Sequence, residues 1–116
     1  MTDDPNESLS LRPTVIAGQR YADDFGVIWR GLSIGRVLKA EGLPPHVQQW
    51  SWHCSLPGKP GGGNDTGDDL KACKQAFKEA WAGIRSGLTD AEIAHAHEVV
   101  ETSRETLVRY QRRRPV

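Results

Sequence analysis

Residues 50–56 read WSWHCSL, an alternation of apolar and polar side chains that is typical of a β-strand with one buried face. Alternate positions of a strand point to opposite sides of the sheet. The two sets are Trp50, Trp52, Cys54 and Leu56 against Ser51, His53 and Ser55. A strand of this kind needs partners along its edges and a second layer over its apolar face. The rest of the chain has to supply both.

The partner strands precede it. Residues 25–30 (FGVIWR) and 32–40 (LSIGRVLKA) alternate in a similar way. Gly31 between them suits a tight turn, because glycine accepts a positive φ without steric cost. Gly35 interrupts the second alternation and predicts a β-bulge that shifts the register of the strand. The sequence therefore predicts a three-stranded antiparallel sheet.

The covering layer follows in residues 70–87, LKACKQAFKEAWAGIRSG. Apolar residues recur there at intervals of three and four, as on the buried face of an amphipathic helix. They are Leu70, Cys73, Phe77, Ala80, Trp81 and Ile84. Asp69 is placed to cap the start of this helix, and Gly87 is placed to end it.

A second helix is predicted from Thr89, which forms a capping box with Glu92. Its apolar stripe is thinner and consists of Ile93, Ala96, Val100 and Leu107. The predicted fold is α+β, with the order β-β-β-α-α. A flexible acidic N-terminal segment is expected at 1–13, a single α+β domain at 14–108 and a basic C-terminal tail at 109–116.

The length, charge balance and cysteine count of the chain limit the classes of protein to which it can belong. The chain has 116 residues, which suits one domain, and its fifteen basic residues balance fifteen acidic ones. No apolar run approaches the length of a membrane span, and the acidic start lacks the apolar core of a signal peptide. Two cysteines are too few for a disulfide scaffold. We expect a cytoplasmic protein with reduced thiols and no membrane partner.

The glycine-rich segment PGKPGGGNDTGDD, residues 57–69, raises the question of a phosphate or calcium loop. A phosphate loop needs a lysine at its helix end, but Lys59 lies at the other end. Asp68 and Asp69 would repel phosphate at the helix entrance. The segment partly resembles one unit of the GGxGNDxL repeat of calcium-binding β-rolls, yet such turns share calcium between stacked copies and only one copy is present. The expectation is an irregular connection without a ligand.

Candidate catalytic and metal-binding residues do not converge. His53 and Cys54 point to opposite faces of their strand. His95 and His97 are two positions apart on a helix and cannot share one ion. Cys54 and Cys73 fall in core positions, where a free thiol acts as a small hydrophobe. We therefore expect no enzyme activity, no metal, no cofactor and no small-molecule substrate.

Three segments carry a resemblance to a known group: residues 23–40 (DDFGVIWRGLSIGRVLKA), 50–58 (WSWHCSLPG) and 69–93 (DLKACKQAFKEAWAGIRSGLTDAEI). Together they resemble a group of small uncharacterised bacterial proteins with a strand hairpin, a W-x-W strand, a Gly/Pro loop and an amphipathic helix. That resemblance implies the architecture and no established activity. In fold alone, three strands backed by a helix also look like the arm-binding domains of integrases and AP2-type DNA readers, which lay an open sheet face into a groove.

Two functions remain open. The first is a small interaction module for protein partners or self-association, suggested by the thin stripe and mixed charges of the second helix. The second is nucleic-acid binding through the basic helix face, the open sheet face and the arginine-rich end. Its candidate residues are Arg30, Lys39, Lys71, Lys74, Lys78, Arg85, Arg112, Arg113 and Arg114.

Overall fold

In the computed structural model, which describes residues 5–113, each strand of a single antiparallel sheet pairs with the next one along the chain. The five strands are β1 Ser10–Ile16, β2 Gln19–Trp29, β3 Leu32–Lys39, β4 Trp50–Cys54 and β5 Gly63–Gly67. Two helices follow, α1 Leu70–Ser86 and α2 Asp90–Arg113, and a short 3-10 turn, Pro5–Glu7, precedes the sheet. The α+β class is confirmed. No helix within residues 5–113 has both the length and the apolar character to cross a membrane.

The sheet has five strands, so the prediction of three was wrong. Strand β1 lies on the outer edge of β2 and begins at Ser10, inside the segment that we expected to be flexible. Its alternation is broken by Pro13 and by a register shift between Pro13 and Thr14. Val15 and Ile16 are exposed at its end. Pairing with β2, rather than a local pattern, makes this segment a strand.

Strand β5 occupies the glycine-rich segment that we expected to be irregular. Gly63 pairs with Cys54 and Gly67 with Trp50, which places both glycines on the side of the sheet that faces α1. A Cβ atom on Gly67 would lie 2.7 Å from the Sγ of Cys73 in α1. The glycines are therefore where the helix comes closest to the strand, and this packing explains a composition that otherwise indicates a loop.

Strands β2–β4 form the centre of the sheet, and α1 packs on one side of it, mainly against β3, β4 and β5. Val37 on β3 is opposite Trp52 on β4, and both are buried beneath α1. The ring of Trp52 meets that of Phe77 edge to face, with centroids 6.0 Å apart. The predicted packing of the W-x-W strand against the first helix is confirmed.

The predicted bulge lies between Val27 and Ile28 of β2 and their partners in β3, where Ile34 is the extra residue. Gly35 follows it directly under the ring of Phe77. A Cβ atom there would lie 2.6 Å from a carbon of that ring. Because Gly35 has no side chain, the ring of Phe77 in α1 packs directly on the backbone of β3 beside the bulge.

The helix starts agree with the caps read from the sequence. Asp69 accepts a hydrogen bond from the backbone N–H of Ala72 at 2.8 Å. Thr89 and Glu92 form the reciprocal capping box, with distances of 3.0 Å and 3.1 Å. Both helices therefore begin where local chemistry satisfies their free backbone donors.

Helix α2 runs on to Arg113, past the boundary at 108 that we expected for the domain. Ile93 and Ala96 are buried against the core, whereas residues 101–111 are all exposed. The first part of the expected basic tail is therefore helical, and residues 114–116 lie outside the described residues.

Candidate functional site

Three surfaces contain most of the residues singled out from the sequence. The first is a cluster that we call the arginine clasp, made of Arg30 and Arg85 around Glu7. Arg30 donates to the Glu7 carboxylate at 2.8 Å, and Arg85 donates to it at 3.0 Å. Both guanidinium groups also lie over the ring of Trp29, at 4.5 Å and 5.3 Å from its centroid. The hydrogen bond from Arg85 and the positive charge of both arginines lower the pKa of Glu7.

The arginine clasp fastens the N-terminal turn to the domain. Arg30 also donates from its Nε to the backbone oxygen of Asn6 at 3.0 Å. Because both arginines share one carboxylate and stack on one indole, their charge is partly neutralised within the chain. Two of the residues predicted to contact nucleic acid thus hold the chain's own N-terminal segment.

The open face of the sheet differs from the expected one at Lys39. Lys39 is opposite Trp50 in the β3–β4 register, so it lies at the end of the helix side rather than on the open side. The bulge at Ile34 is the reason, because one extra residue moves every later side chain of β3 to the other face. Arg36, opposite His53, takes the open-face position instead.

Arg36 is paired rather than free. Its Nε donates to the Asp24 carboxylate at 2.7 Å, and Thr14 donates to the same carboxylate at 2.9 Å. The hydrogen bond from Arg36 lowers the pKa of Asp24, and the same bond raises the pKa of Arg36. The sequence does not predict this cross-strand pair. Asp24 and Arg36 are 12 positions apart, and only the pairing register of β2 with β3 brings them together.

The second surface is the outer face of α1. Lys71, Lys74 and Lys78 are all exposed, as the helical stripe predicted. None of the three makes an ion pair with another residue in the described part of the chain. The side chains of Arg112 and Arg113 and the whole of Arg114 lie outside the described residues.

A groove of about 290 Å³ lies beside this face, between α1 and the β1–β2 end of the sheet; we call it the α1–β1 groove. Lys74 and Lys78 stand along it, and apolar side chains form the rest of its wall. They are Leu9, Leu11, Val27, Val37 and Phe77. The groove exists because α1 packs on β3, β4 and β5 and leaves the other end of the sheet less covered.

The third surface is the distal half of α2, residues 101–111. The apolar stripe of this helix continues there in the register of its buried part. Its positions alternate in spacing between three and four residues: Ile93, Ala96, Val100, Ser103, Leu107 and Tyr110. Leu107 is 56% exposed and Tyr110 63%. The stripe therefore extends beyond the body of the domain.

The cysteines and tryptophans occupy the core positions expected for them. Cys54 and Cys73 are both buried and free. Burial raises the pKa of Cys54 to about 11, so its thiol is protonated at neutral pH. Trp29, Trp52 and Trp81 are buried as well. Within residues 5–113, no three His, Cys, Asp or Glu side chains are grouped as a metal site would require.

Comparison with known proteins does not assign the chain to a family. No protein-family model, curated protein or solved structure matches the chain. The resemblance to small bacterial proteins with a W-x-W strand therefore remains a prediction from the sequence.

Proposed function

We propose that this chain is a small protein-interaction module that self-associates through the distal half of α2. The observation that carries the proposal is the apolar stripe of α2, which continues in one register beyond the buried part of the helix with Ser103 as its polar position. Its first two residues, Ile93 and Ala96, are buried in the domain, and its last two, Leu107 and Tyr110, are more than half exposed. A helix that keeps one register of apolar residues after leaving its own core presents a surface for another layer.

The spacing of the stripe supports a helical or groove-shaped partner. Alternating steps of three and four residues give a narrow seam of the kind that packs between helices. Burying one large apolar side chain from water is worth about 1.5–3 kcal/mol. Leu107 and Tyr110 together therefore supply a driving force for a reversible contact.

The charges on the distal half of α2 have mixed signs; Arg104 lies beside the stripe, whereas Glu101, Glu105 and Arg109 lie toward the opposite face of the helix. Glu101 and Arg104 lie 3.9 Å apart on the exposed surface, and Glu105 and Arg109 follow along the helix. A flanking charge such as Arg104 helps to select the orientation and the identity of a helix partner.

Sedimentation velocity over a wide range of protein concentration tests the proposal. We expect the wild-type chain to form a concentration-dependent dimer or small oligomer and Leu107→Asp to shift it to the monomer. Val108→Asp is the matched control, because Val108 is also exposed but lies off the stripe. A wild-type chain that stays strictly monomeric at the highest concentrations would contradict self-association.

Nucleic-acid binding is the second candidate, and three exposed lysines on α1 without ion pairs favour it. Lys71, Lys74 and Lys78 could contact phosphates on one backbone, which predicts affinity that falls steeply as salt rises. Titration of labelled duplex and single-stranded oligonucleotides at low salt decides this. Absence of binding at micromolar protein would remove this candidate, because electrostatic contacts are strongest under those conditions.

A further inference from the structure

Part of the sheet has apolar side chains on the side of α1 but no helix above them. Helix α1 packs on β3, β4 and β5, so its axis lies over β4, the middle strand of the three. On β1 and β2, Leu11 is opposite Val27 and Pro13 is opposite Phe25, all on the same side of the sheet as α1. Leu11 and Phe25 are half-buried, and Pro13 is exposed. Apolar surface at this end of the sheet therefore still contacts water.

The width of this uncovered part matches one helix. Neighbouring strands lie about 4.8 Å apart, and packed helices lie about 8–10 Å apart. A helix placed beside α1 would therefore lie two strands away from β4, over β2. That position is the α1–β1 groove, which has Val27 and Val37 in its floor and Leu9 and Leu11 in its far wall.

The flank of α1 that faces the groove is positively charged. Lys74 and Lys78 line the groove one turn apart, and neither makes an ion pair with a described residue. Among the described residues, no acidic side chain lines the groove. An occupant should therefore combine an apolar stripe with carboxylates one turn apart on the flank that faces α1.

The helices of this chain do not meet these requirements. The apolar face of α1 is already buried in the core, as Phe77 shows. On α2, Glu101 and Glu105 lie toward the face opposite Leu107, so the helix cannot turn its stripe to the sheet and these carboxylates to the lysines at the same time. Arg104, which does lie beside the stripe, has the same sign of charge as the lysines. The groove therefore requires a helix from a different protein.

The apolar floor also distinguishes a helix from a nucleic acid. A sugar–phosphate backbone would neutralise Lys74 and Lys78 but would leave Leu9 and Leu11 in contact with water. An amphipathic helix laid in the groove satisfies both, because its apolar face covers the leucines while its flank carries the opposite charge.

We propose that the α1–β1 groove binds an acidic amphipathic helix of a different protein. The apolar stripe of that helix packs on Leu9, Leu11 and Phe25, and its carboxylates pair with Lys74 and Lys78. The inference adds a second contact surface to the self-association proposed above and does not depend on it.

Fluorescence anisotropy with two synthetic peptides and the full chain at low salt tests the inference. The acidic probe is a labelled helical peptide of about 18 residues, long enough to keep helical structure in water. It has leucines at intervals of three and four and glutamates one turn apart on one flank. The second probe has lysines in place of the glutamates. We expect micromolar binding of the acidic peptide and binding at least about tenfold weaker for the lysine peptide.

Variants of the chain locate the binding. Lys74→Glu/Lys78→Glu should weaken binding of the acidic peptide by about tenfold or more and should bind the lysine peptide better than the wild type does. Leu11→Asp should weaken binding of both peptides, because it places a charge in the apolar wall. Arg12→Glu is the matched control, because Arg12 is the next residue of β1, is exposed on the other side of the sheet and makes no ion pair with a described residue. Thermal melts establish that each variant is folded.

The outcomes separate this inference from the proposed function. Leu107→Asp should abolish self-association and leave peptide binding unchanged. If neither peptide binds, if both bind the wild type equally, or if Arg12→Glu weakens binding as much as the double reversal does, the inference is overturned. If Lys74→Glu/Lys78→Glu abolishes self-association instead, the groove holds a second copy, and the assignment to a different protein is wrong.

Discussion

At the scale of single residues, the close approach of α1 to the sheet depends on positions that have no side chain. Gly35 lies beneath Phe77, and Gly67 lies beneath Cys73, with no room at either place for a methyl group. A core at crystal-like density has no slack to absorb an added atom, so these glycines have a packing role rather than a role in flexibility.

Gly35→Ala should destabilise the protein by about 1–3 kcal/mol, because the new methyl group would overlap the backbone oxygen of His53 and lie 2.6 Å from the ring of Phe77. Gly83→Ala is the matched control. Gly83 lies within α1 with open space around it, so alanine there should be neutral or stabilise by about 0.5–1 kcal/mol through helix propensity. Urea denaturation measures both. Equal stability of the two variants would show that neither the backbone of His53 nor the ring of Phe77 lies as close to Gly35 as described.

At the scale of elements, α2 consists of two parts with different roles. The first part, up to Val100, is packed against the domain through Ile93 and Ala96, and its start is held by Lys59, which pairs with Glu92. The second part, residues 101–111, contacts solvent on all sides. Burial of the first part supplies the stability of this helix, since helical propensity alone gives little in water.

A chain that ends at Glu101 should therefore have a free energy of unfolding within about 1 kcal/mol of that of the full-length chain, since exposed residues contribute little to folding. The same truncation should abolish self-association. Urea denaturation and sedimentation velocity on the same sample measure the two properties. A large loss of stability would mean that the distal half packs on its own domain, and retained association would place the interface elsewhere.

At the scale of the whole molecule, three carboxylates tie separate parts together. Glu7 holds the N-terminal turn to Arg30 and Arg85, Asp24 joins Arg36 across the open sheet face, and Glu92 links the start of α2 to Lys59. Each has a lowered pKa, caused first by the hydrogen bond from its basic partner. Ionisation of the carboxylate therefore stabilises the folded state at all three positions.

Because these pKa values are lower in the folded state than in the unfolded one, the stabilisation is fully present above the unfolded values near pH 4. It is lost as pH falls through the folded values. We expect the free energy of unfolding to hold steady from neutral pH to about pH 5 and to decline below it. Urea denaturation at a series of pH values measures this dependence.

Glu7→Gln should flatten part of the decline in acid and lower stability at neutral pH, since the arginine clasp then lacks its carboxylate. Glu41→Gln is the control, because Glu41 is exposed and makes no ion pair with a described residue. If the free energy of unfolding declines in acid in the same way in both variants, the arginine clasp does not contribute to the pH dependence of stability.

The sequence by itself determined the elements whose signals are local. Strands β2, β3 and β4 follow from period-two alternation, and both helices follow from their caps and apolar stripes, because these patterns act over a few residues. The sequence likewise predicts the exposure of Lys74 and Lys78 and the apolar stripe of α2, since each depends on helical geometry alone.

Only the tertiary structure decided the edges of the sheet and the contents of the candidate surfaces. Strands β1 and β5 contain proline or glycine, and they become strands because a neighbouring strand pairs with each of them; α1 also packs on β5. The side on which Lys39 lies depends on one extra residue at Ile34. Glu7 meets Arg85 across 78 positions of the chain, and the α1–β1 groove opens where α1 stops covering the sheet. Such contacts carry no local pattern, because the energy that forms them comes from segments that are distant in sequence.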